Sequence, residues 1–242
     1  MVALKRKSYA ELDRQLRFES LLVEISTLFI NLPADEIDSR IEEVQCRICE
    51  FLDIDRSTLW QFQEHDPKTL LLTHIYQPPG SRPTPERTIL ADLFPWVYQK
   101  IVKGETVTVS KIADLPAEAT RDKENLVLYG AKSGIYVPLS IGRGPVFGAL
   151  TFATMREQRD WPEGILKGCV ILAQVFANTL ARKKNEIALR ENEARLVLTT
   201  NAAEAGLWDM ELDTGEVWVT DKTRDLFHFA PDEKINAESF FN

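Results

Sequence analysis

Residues 130–154, GAKSGIYVPLSIGRGPVFGALTFAT, contain the clearest structural pattern in this chain. Two runs of strand length, KSGIYVPLSI and VFGALTFAT, flank the glycine turn GRG, and this arrangement predicts a β-hairpin. Glycine-rich segments also occur in phosphate-binding loops, but here no helix follows to present its N-terminus to an anion. The stretch therefore predicts a pair of antiparallel strands.

Similar patterns extend outward from this hairpin on both sides. A second hairpin is predicted over 56–64 and 70–77, and apolar residues at three- and four-residue spacing predict a helix over 8–31. Further predicted elements are helices at about 35–52 (capped by Asp35), 89–103 and 117–130, a short strand at 105–110, and a helix that begins near Pro162. The pattern predicts an α+β domain, with an antiparallel sheet flanked by helices.

The helix that begins near Pro162 is predicted to leave the domain and to continue through water to about Asn201. Before residue 180 its apolar stripe is wide, as in a helix packed on a sheet, and afterwards only a narrow heptad stripe remains. The stripe consists of residues at intervals of seven: Leu166, Ala173, Leu180, Ile187 and Ala194. Because an isolated polar helix is marginal in water, we expect a homodimer through a loose coiled coil. The alternatives are a helix exposed in a monomer and one folded back on its own domain.

The residues after this helix predict a second domain. The segment 206–220, GLWDMELDTGEVWVT, contains two short strands around the turn Asp213-Thr214-Gly215. DKTRDLFHF, residues 221–229, predicts a short helix capped by Asp221. We expect the chain to stop within this second domain.

The first domain resembles a GAF domain, which is a cytoplasmic sensory module. Besides 130–154, the resemblance rests on the order and spacing of FESLLVEISTLFINLP, ICEFLDIDRSTLWQF, VTVSKIADLPAEA and RDWPEGILKGCVILAQVFANTLARK. Residues 191–241 are similar to the opening of a PAS domain. The resemblances imply a GAF sensory domain with its N-terminal helix at 1–180, a signalling helix at 163–199 that overlaps it, and a partial PAS domain at 200–242.

This order of modules is similar to the input region of bacterial sensor histidine kinases, and also of some cyclases and transcription activators. The resemblance implies a cytoplasmic input region of a two-component signal-transduction protein, which relays a ligand- or dimer-induced change through its signalling helix. The sequence shows neither a phosphoacceptor-histidine helix nor an ATP-binding glycine motif, so we expect no enzyme activity and a downstream output module outside this chain. The alternatives are a ligand-free GAF dimerisation module of another regulator and a thiol-based redox sensor or enzyme.

Composition argues against two classes of partner. The formal net charge is −8, and nucleic-acid binding requires a clustered positive surface, so we expect no nucleic acid. No uninterrupted apolar run reaches the roughly 18 residues that span a bilayer. No apolar segment of a signal peptide follows the basic start. We therefore expect no membrane partner and a cytoplasmic location.

Cys46 and Cys49 form a CxxC pair, which is the spacing of redox and zinc sites. The pair lies within a predicted helix, and neither a second CxxC nor a nearby histidine pair accompanies it. We therefore interpret both cysteines as structural, together with Cys169 on the apolar side of the long helix. We expect no catalytic residue and no metal site.

GAF domains usually carry their pockets between the sheet and the inserted helices and loops. By that resemblance, the implied pocket is lined by seven aromatic residues and one histidine: Trp60, Phe62, His74, Phe94, Trp96, Tyr98, Tyr129 and Tyr136. Aromatic walls with few polar groups suit small ligands, and plain hydrophobic core is the alternative for most of these residues. The sequence names no cofactor, since it lacks a CxxCH haem motif, a bilin-type cysteine beside a histidine, and the cyclic-nucleotide motif of some GAF domains.

Overall fold

The computed structural model of the protein describes residues 2–63, 66–81, 83–84, 86–202 and 205–241. The chain divides into two compact units, Met1–Lys183 and Lys184–Asn242. The first unit combines an antiparallel sheet with helices on both of its faces, which confirms the predicted α+β class.

The sheet of the first unit has six described strands in the order β3-β2-β1-β6-β5-β4. They are β1 (Arg56–Gln63), β2 (Asp66–Tyr76), β3 (Arg87–Ile89), β4 (Val107–Val109), β5 (Ser133–Leu139) and β6 (Gly148–Thr154). The hairpin predicted from 130–154 forms β5 and β6, and the second predicted hairpin forms β1 and β2. Glu64, at the end of the predicted strand 56–64, lies outside the described residues. β1 pairs with β6, so the two hairpins meet at the centre of the sheet.

The two faces of the sheet bury different side chains because neighbouring residues of a strand point in opposite directions. Leu59 and Phe152 point to what we call the long-helix face, whereas Trp60 and Thr151 point to the short-helix face. The long-helix face is covered by α1 (Val2–Ile30), α2 (Ile37–Leu52) and α6 (Glu163–Ala202). The short-helix face is covered by α3 (Leu90–Leu93), α4 (Pro95–Ile101) and α5 (Thr120–Leu128).

Two helix boundaries differ from the predictions. The predicted helix 89–103 is interrupted, since Pro95 has no backbone N–H to donate and instead begins α4 as its first residue. The helix predicted from about residue 35 begins at Ile37. Glu36, rather than Asp35, occupies the N-cap position, and its side chain makes no capping hydrogen bond.

The predicted long helix is confirmed, because α6 runs as one helix from Glu163 to Ala202. Its heptad residues have different surroundings. Ala173 and Leu180 are only 2% and 7% exposed in the core of their own domain, and Leu166 packs against that core. Ile187 and Ala194 are exposed. The predicted dimer stripe is thereby corrected, since its first three positions are occupied by contacts within the first unit.

By length and composition alone, α6 is also long and apolar enough to cross a bilayer. However, 44% of its most apolar window is buried within the protein. Leu172 and Phe176, for example, lie in the core of the first unit. We attribute the apolar composition of α6 to this packing.

The second unit contains a short antiparallel pair of strands followed by two helices: β7 (Trp208–Met210), β8 (Val217–Val219), α7 (Asp221–Phe227) and α8 (Ala237–Phe241). The predicted helix cap is wrong. Thr220, rather than Asp221, is the N-cap, and its side chain accepts a hydrogen bond from the backbone N–H of Thr223. The unit has a small core of its own, formed by Val217, Val219, Ile235 and Phe240.

Candidate functional site

A cavity of about 100 Å³ lies in the first unit, between the short-helix face of the sheet and helices α3 to α5. Its position is the one that the resemblance implies. Most of the lining side chains are aliphatic or aromatic. Among the described residues, the lining side chains that can ionise are Arg56, Tyr129 and Tyr136.

Strand alternation explains the sheet side of the cavity. Arg56, Thr58 and Trp60 occupy alternate positions of β1 and therefore point to the same face. Thr58 Oγ1 lies 2.5 Å from Thr151 Oγ1 on β6, and it accepts a hydrogen bond from Trp60 Nε1 at 2.7 Å. These polar groups satisfy one another and hold the Trp60 ring against the sheet.

The helices over the cavity are held in place by two polar side chains of α5. The Asp122 carboxylate accepts hydrogen bonds from the backbone N–H groups of Trp96 and Val97, at 3.1 and 3.0 Å, and so caps the start of α4. Burial raises the pKa of Asp122, although these hydrogen bonds oppose the shift. Asn125 Nδ2 donates to the carbonyl oxygen of Leu93 at 2.6 Å. The break between α3 and α4 is therefore anchored to α5.

Arg56 differs from the other groups of the cavity because its charge has no partner among the residues that the structure describes. The residue is only 8% exposed, and its buried Nε makes no hydrogen bond within the described part of the chain. Burial lowers the pKa of Arg56, and the neighbouring Tyr136 acts in the opposite direction. A guanidinium nevertheless stays charged at neutral pH. Burial also raises the pKa of Tyr136, so its phenol stays protonated and can donate a hydrogen bond to an acceptor.

The structure brings half of the predicted pocket residues together. The predicted residues that line the cavity are Trp60, Phe94, Tyr129 and Tyr136. Three others are half-buried outside its lining: Phe62, Trp96 and Tyr98. The eighth, His74, lies on the opposite face of the sheet.

His74 faces the long helices because β2 contains a bulge. Leu59 pairs with His74 and Trp60 pairs with Leu72, which leaves Thr73 as an extra residue between the two pairs. One extra residue inverts the alternation of a strand, so His74 shares the face of Leu59. This correction could not come from the sequence, in which the bulge leaves no recognisable pattern.

His74 belongs instead to a group of ionisable side chains that we call the Asp38 cluster (Asp38, His74 and Lys183). Asp38 Oδ1 lies 3.2 Å from His74 Nε2, and Lys183 Nζ donates to Asp38 Oδ2 at 2.5 Å. Burial lowers the pKa of His74, although Asp38 opposes this shift. Burial raises the pKa of Asp38, but the hydrogen bonds from Lys183 and His74 outweigh it and lower this pKa overall. The cluster ties α2 and β2 to α6 at the last residue of the first unit.

The cysteines lack the surroundings of a reactive site. Cys46 is half-buried and Cys49 is buried on α2, and burial raises the pKa of both thiols. Burial likewise raises the pKa of Cys169 to about 12. Redox and metal chemistry require the thiolate, which these shifts disfavour. Within the described ranges, no three His, Cys, Asp or Glu side chains are grouped in a way that could hold a metal ion.

Arg56 is the site residue that the sequence predictions missed. A signal for it exists, because Arg56, Thr58 and Trp60 alternate at the start of a predicted strand and Trp60 is itself a predicted pocket residue. Strand alternation places Arg56 on the same face as Trp60, with Thr58 between them. Its missing partner, in contrast, is visible only in the folded chain.

Comparison with solved structures identifies the fold. The structure is similar to the phycoerythrobilin-bound GAF domain of a cyanobacterial phytochrome, over 70% of this chain and 97% of the other, with a TM-score of 0.58 and 17% identity. It is also similar to the GAF domain of a phosphoenolpyruvate-protein phosphotransferase from Coxiella burnetii, over 72% and 98% of the two chains, with a TM-score of 0.56 and 17% identity. A free methionine-R-sulfoxide reductase from Neisseria meningitidis, in complex with its substrate, matches over 71% and 93%, with a TM-score of 0.54 and 15% identity.

No protein-family model and no curated relative matches the chain. At such low identities, structural similarity establishes a fold and leaves the ligand and the activity open. The antiparallel sheet and its flanking helices lie within the part of the chain that matches these structures. The chain contains a domain with the GAF fold.

Proposed function

We propose that this chain is a cytoplasmic sensory input region, in which the GAF domain binds a small molecule and α6 relays the resulting change. The proposal is carried by one observation, namely that a single sheet separates the cavity from α6. β1, β5 and β6 contribute cavity-lining side chains on the short-helix face and core side chains next to α6 on the other face. A ligand that shifts these strands would therefore act on α6 through the sheet.

The two parts of α6 suit a relay because their surroundings differ. As far as Lys183 the helix packs in the core of the GAF domain, whereas from Lys184 to Thr199 almost every residue is exposed. Lys183, held by Asp38, is the last residue of the packed part. A ligand shifts a conformational equilibrium only as far as it prefers one state. We propose that ligand binding biases the position of the packed part and that the exposed part transmits this bias.

We further propose that the working unit is a homodimer. Exposed apolar side chains occur on α1 at intervals of seven, at Leu16, Val23 and Ile30. Those described on α6 are Val170, Ile171, Ile187, Leu189, Leu196, Val197 and Leu198. Apolar stripes of this kind are typical of helices that pair with another helix. They replace the buried Ala173 and Leu180 as the proposed contact surface.

The finer role is proposed from the order of the modules. A GAF domain, a long helix and a second small unit follow one another as in the input region of a sensor histidine kinase, and we propose that role. Residues 200–242 would then form the opening of a PAS domain. The region itself would be non-enzymatic, and a catalytic output module would lie downstream.

A ligand-free dimerisation module is the second candidate function. It is favoured by the size of the cavity, since about 100 Å³ is well below the roughly 300–1,000 Å³ of pockets that hold drug-sized ligands. The aromatic side chains would then serve only as core. Contacts between two copies would alone determine the state of α6.

Native mass spectrometry of the purified chain distinguishes the two candidates. We expect a dimer that retains a small-molecule mass. Ala149→Leu places a larger side chain in the cavity and should lose this mass, whereas the matched Ala113→Leu lies in an exposed turn and should keep it. A dimer without bound mass in any sample favours the ligand-free module, and a monomer contradicts the proposed dimer.

A further inference from the structure

We propose that the cavity binds a small monocarboxylate, whose carboxylate group is held by Arg56 and whose apolar part fills the space beneath α3 to α5. The proposal rests on the ligand-binding function proposed above and adds the chemical class of the ligand. Two features carry it. One is the unpaired guanidinium in the cavity, and the other is the apolar character of the remaining walls.

The acidic groups that could neutralise Arg56 from within the core are already engaged. In the part of the chain that the structure describes, the buried acidic residues are Asp55 and Asp122. Asp55 accepts hydrogen bonds from Arg156 Nε at 2.5 Å and from the backbone N–H of Met155 at 2.6 Å. Asp122 caps α4 through two backbone hydrogen bonds. Arg56 is therefore left without a counter-ion among the described residues.

The missing counter-ion is unexpected in an acidic protein. The chain has 37 acidic and 29 basic residues, so most positions offer more negative than positive charge. A buried charge without a partner is unfavourable, and perturbed groups of this kind are concentrated in clefts that bind or react with other molecules. The Nε atom of Arg56 is shielded from solvent, and the Arg56 side chain lines the cavity, so a ligand in the cavity lies next to the guanidinium group. We infer that the partner is an anionic ligand.

Tyr136 supplies a second donor on the same face. Arg56 pairs with Ala153, which pairs in turn with Gly134 on β5. A Cβ placed on Gly134 would lie 3.2 Å from Tyr136 Oη, so the phenol extends over Gly134 along the row that contains Arg56. A planar guanidinium fork binds a carboxylate through two parallel hydrogen bonds, and a phenol can add a third. A side chain at 134 would also place its Cβ 3.1 Å from Tyr136 Cε2, so the Tyr136 ring would have to shift slightly to admit it.

The other walls select against a more highly charged ligand. The hydroxyl groups of Thr58 and Thr151 already bond to each other, and Thr58 also accepts from Trp60. Apart from Thr84 and the two tyrosines, the other described side chains of the lining, such as Leu93 and Phe94, are apolar. One positive charge in such surroundings balances the single negative charge of a carboxylate. A phosphate dianion would keep an uncompensated charge away from water. The cavity of about 100 Å³ limits the apolar part to a few carbon atoms or one ring.

Isothermal titration calorimetry on the full chain at neutral pH tests the proposal. The probes are butyrate and benzoate, their neutral counterparts butyramide and benzamide, and inorganic phosphate. We expect at least one carboxylate to bind tenfold or more tightly than the amide of the same shape, since only the carboxylate supplies the missing charge. Equal affinities for acid and amide, tighter binding of phosphate, or no binding of either carboxylate would overturn the proposal.

Arg56→Met removes the charge and keeps a side chain of similar length. We expect it to lower the carboxylate affinity at least tenfold, to the level of the amide. Arg143→Met makes the same change in the exposed turn between β5 and β6 and should leave the affinity unchanged. A carboxylate that binds Arg56→Met and the wild type equally would place the anion elsewhere. Should Arg56→Met fail to fold, the comparison of acid with amide on the wild-type chain decides the question.

The same titrations separate this proposal from the proposed function. Amides that bind the wild type and lose binding in Ala149→Leu, without tighter binding of the acids, would keep the cavity as a ligand site and remove only the assignment of an anion. If no probe binds and the purified chain retains no small-molecule mass, the ligand-binding function fails as well.

Discussion

The two faces of the sheet bury ionisable groups in different ways. On the long-helix face, the nearly buried His74 is joined to Asp38, which is joined in turn to Lys183. On the short-helix face, Arg56 is buried to a similar extent and has no partner among the described residues. A buried ionisable group that is paired within the chain joins elements to one another, whereas an unpaired buried charge can bind a ligand from outside.

The two faces also differ in packing, since the long-helix face is filled and the short-helix face contains a cavity. Phe152 and Phe176 are completely buried between the sheet and the long helices. Across the sheet, Phe94 and Tyr129 are only half-buried and border the cavity. A close-packed face transmits displacement, because its side chains have no free space into which they can relax. This difference is consistent with our proposal that the short-helix face binds the ligand and that the long-helix face transmits the change.

The largest expected effect is the loss of stability when a large side chain is removed from the close-packed face. Phe176→Ala should lower the free energy of unfolding by about 3–5 kcal/mol, because it leaves a hole in a filled core. Phe94→Ala should lower it by less than about 2 kcal/mol, since part of that ring already adjoins free space. Urea denaturation of both variants measures the difference. Equal losses would show that the faces are packed alike.

A matched pair of glycines on α6 tests packing against α1. A Cβ at Gly168 would lie 2.1 Å from Phe18 Cε1, whereas at Gly164 its nearest neighbour is the Gln15 side chain at 3.7 Å. We expect Gly168→Ala to cost about 1–3 kcal/mol through overpacking. Gly164→Ala should gain up to about 1 kcal/mol from helix propensity. Thermal denaturation of the two variants checks both signs, and a stabilised Gly168→Ala would contradict close contact between the helices.

Removing one cation from each face should change the free energy of unfolding by different amounts. Lys183→Met removes one of the two partners of Asp38, and because that carboxylate is half-exposed we expect a loss of stability of only about 0.5–1 kcal/mol. Arg56→Met removes an unpaired buried charge and should change stability little or increase it by about 1 kcal/mol. Both values follow from urea denaturation without ligand. A larger loss for Arg56→Met would mean that Arg56 is paired within the chain.

The smallest expected effect is a dependence on pH from the Asp38 cluster. Burial holds the pKa of His74 below its ordinary value of 6.5. Between that lowered pKa and 6.5 the unfolded chain binds more protons than the folded one, so stability should fall as the pH drops below 6.5. His74→Asn should reduce this slope, whereas His228→Asn, at an exposed position, should preserve it. Denaturation at a series of pH values measures the slope, and an unchanged slope in His74→Asn would exclude His74 as its source.

Local patterns in the sequence were sufficient for most of the fold. Glycine turns and strand-like runs predicted both hairpins, and three- and four-residue spacing predicted the long helices. The resemblance then located the cavity and four of its aromatic residues. Trp60 is the simplest case, because its place in an alternating strand determines the face to which it points.

Features that depend on distant parts of the chain could not be predicted in this way. The bulge at Thr73, which turns His74 to the other face, is set by the pairing of β2 with β1. Arg56 lacks a counter-ion among the described residues partly because Asp55 already accepts hydrogen bonds from Met155 and Arg156, which are distant in sequence. Burial of the first heptad positions of α6 likewise results from packing on the sheet.

Hydrogen–deuterium exchange on α6 tests most directly the claim that the sheet couples the cavity to this helix. Ala149→Leu fills the cavity from β6, and Ala113→Leu makes the same change in an exposed turn. If the sheet couples the cavity to α6, the α6 amides between residues 169 and 183 should show altered exchange in Ala149→Leu. They should show wild-type exchange in Ala113→Leu. Wild-type exchange along α6 in Ala149→Leu, with the cavity filled, would contradict this coupling.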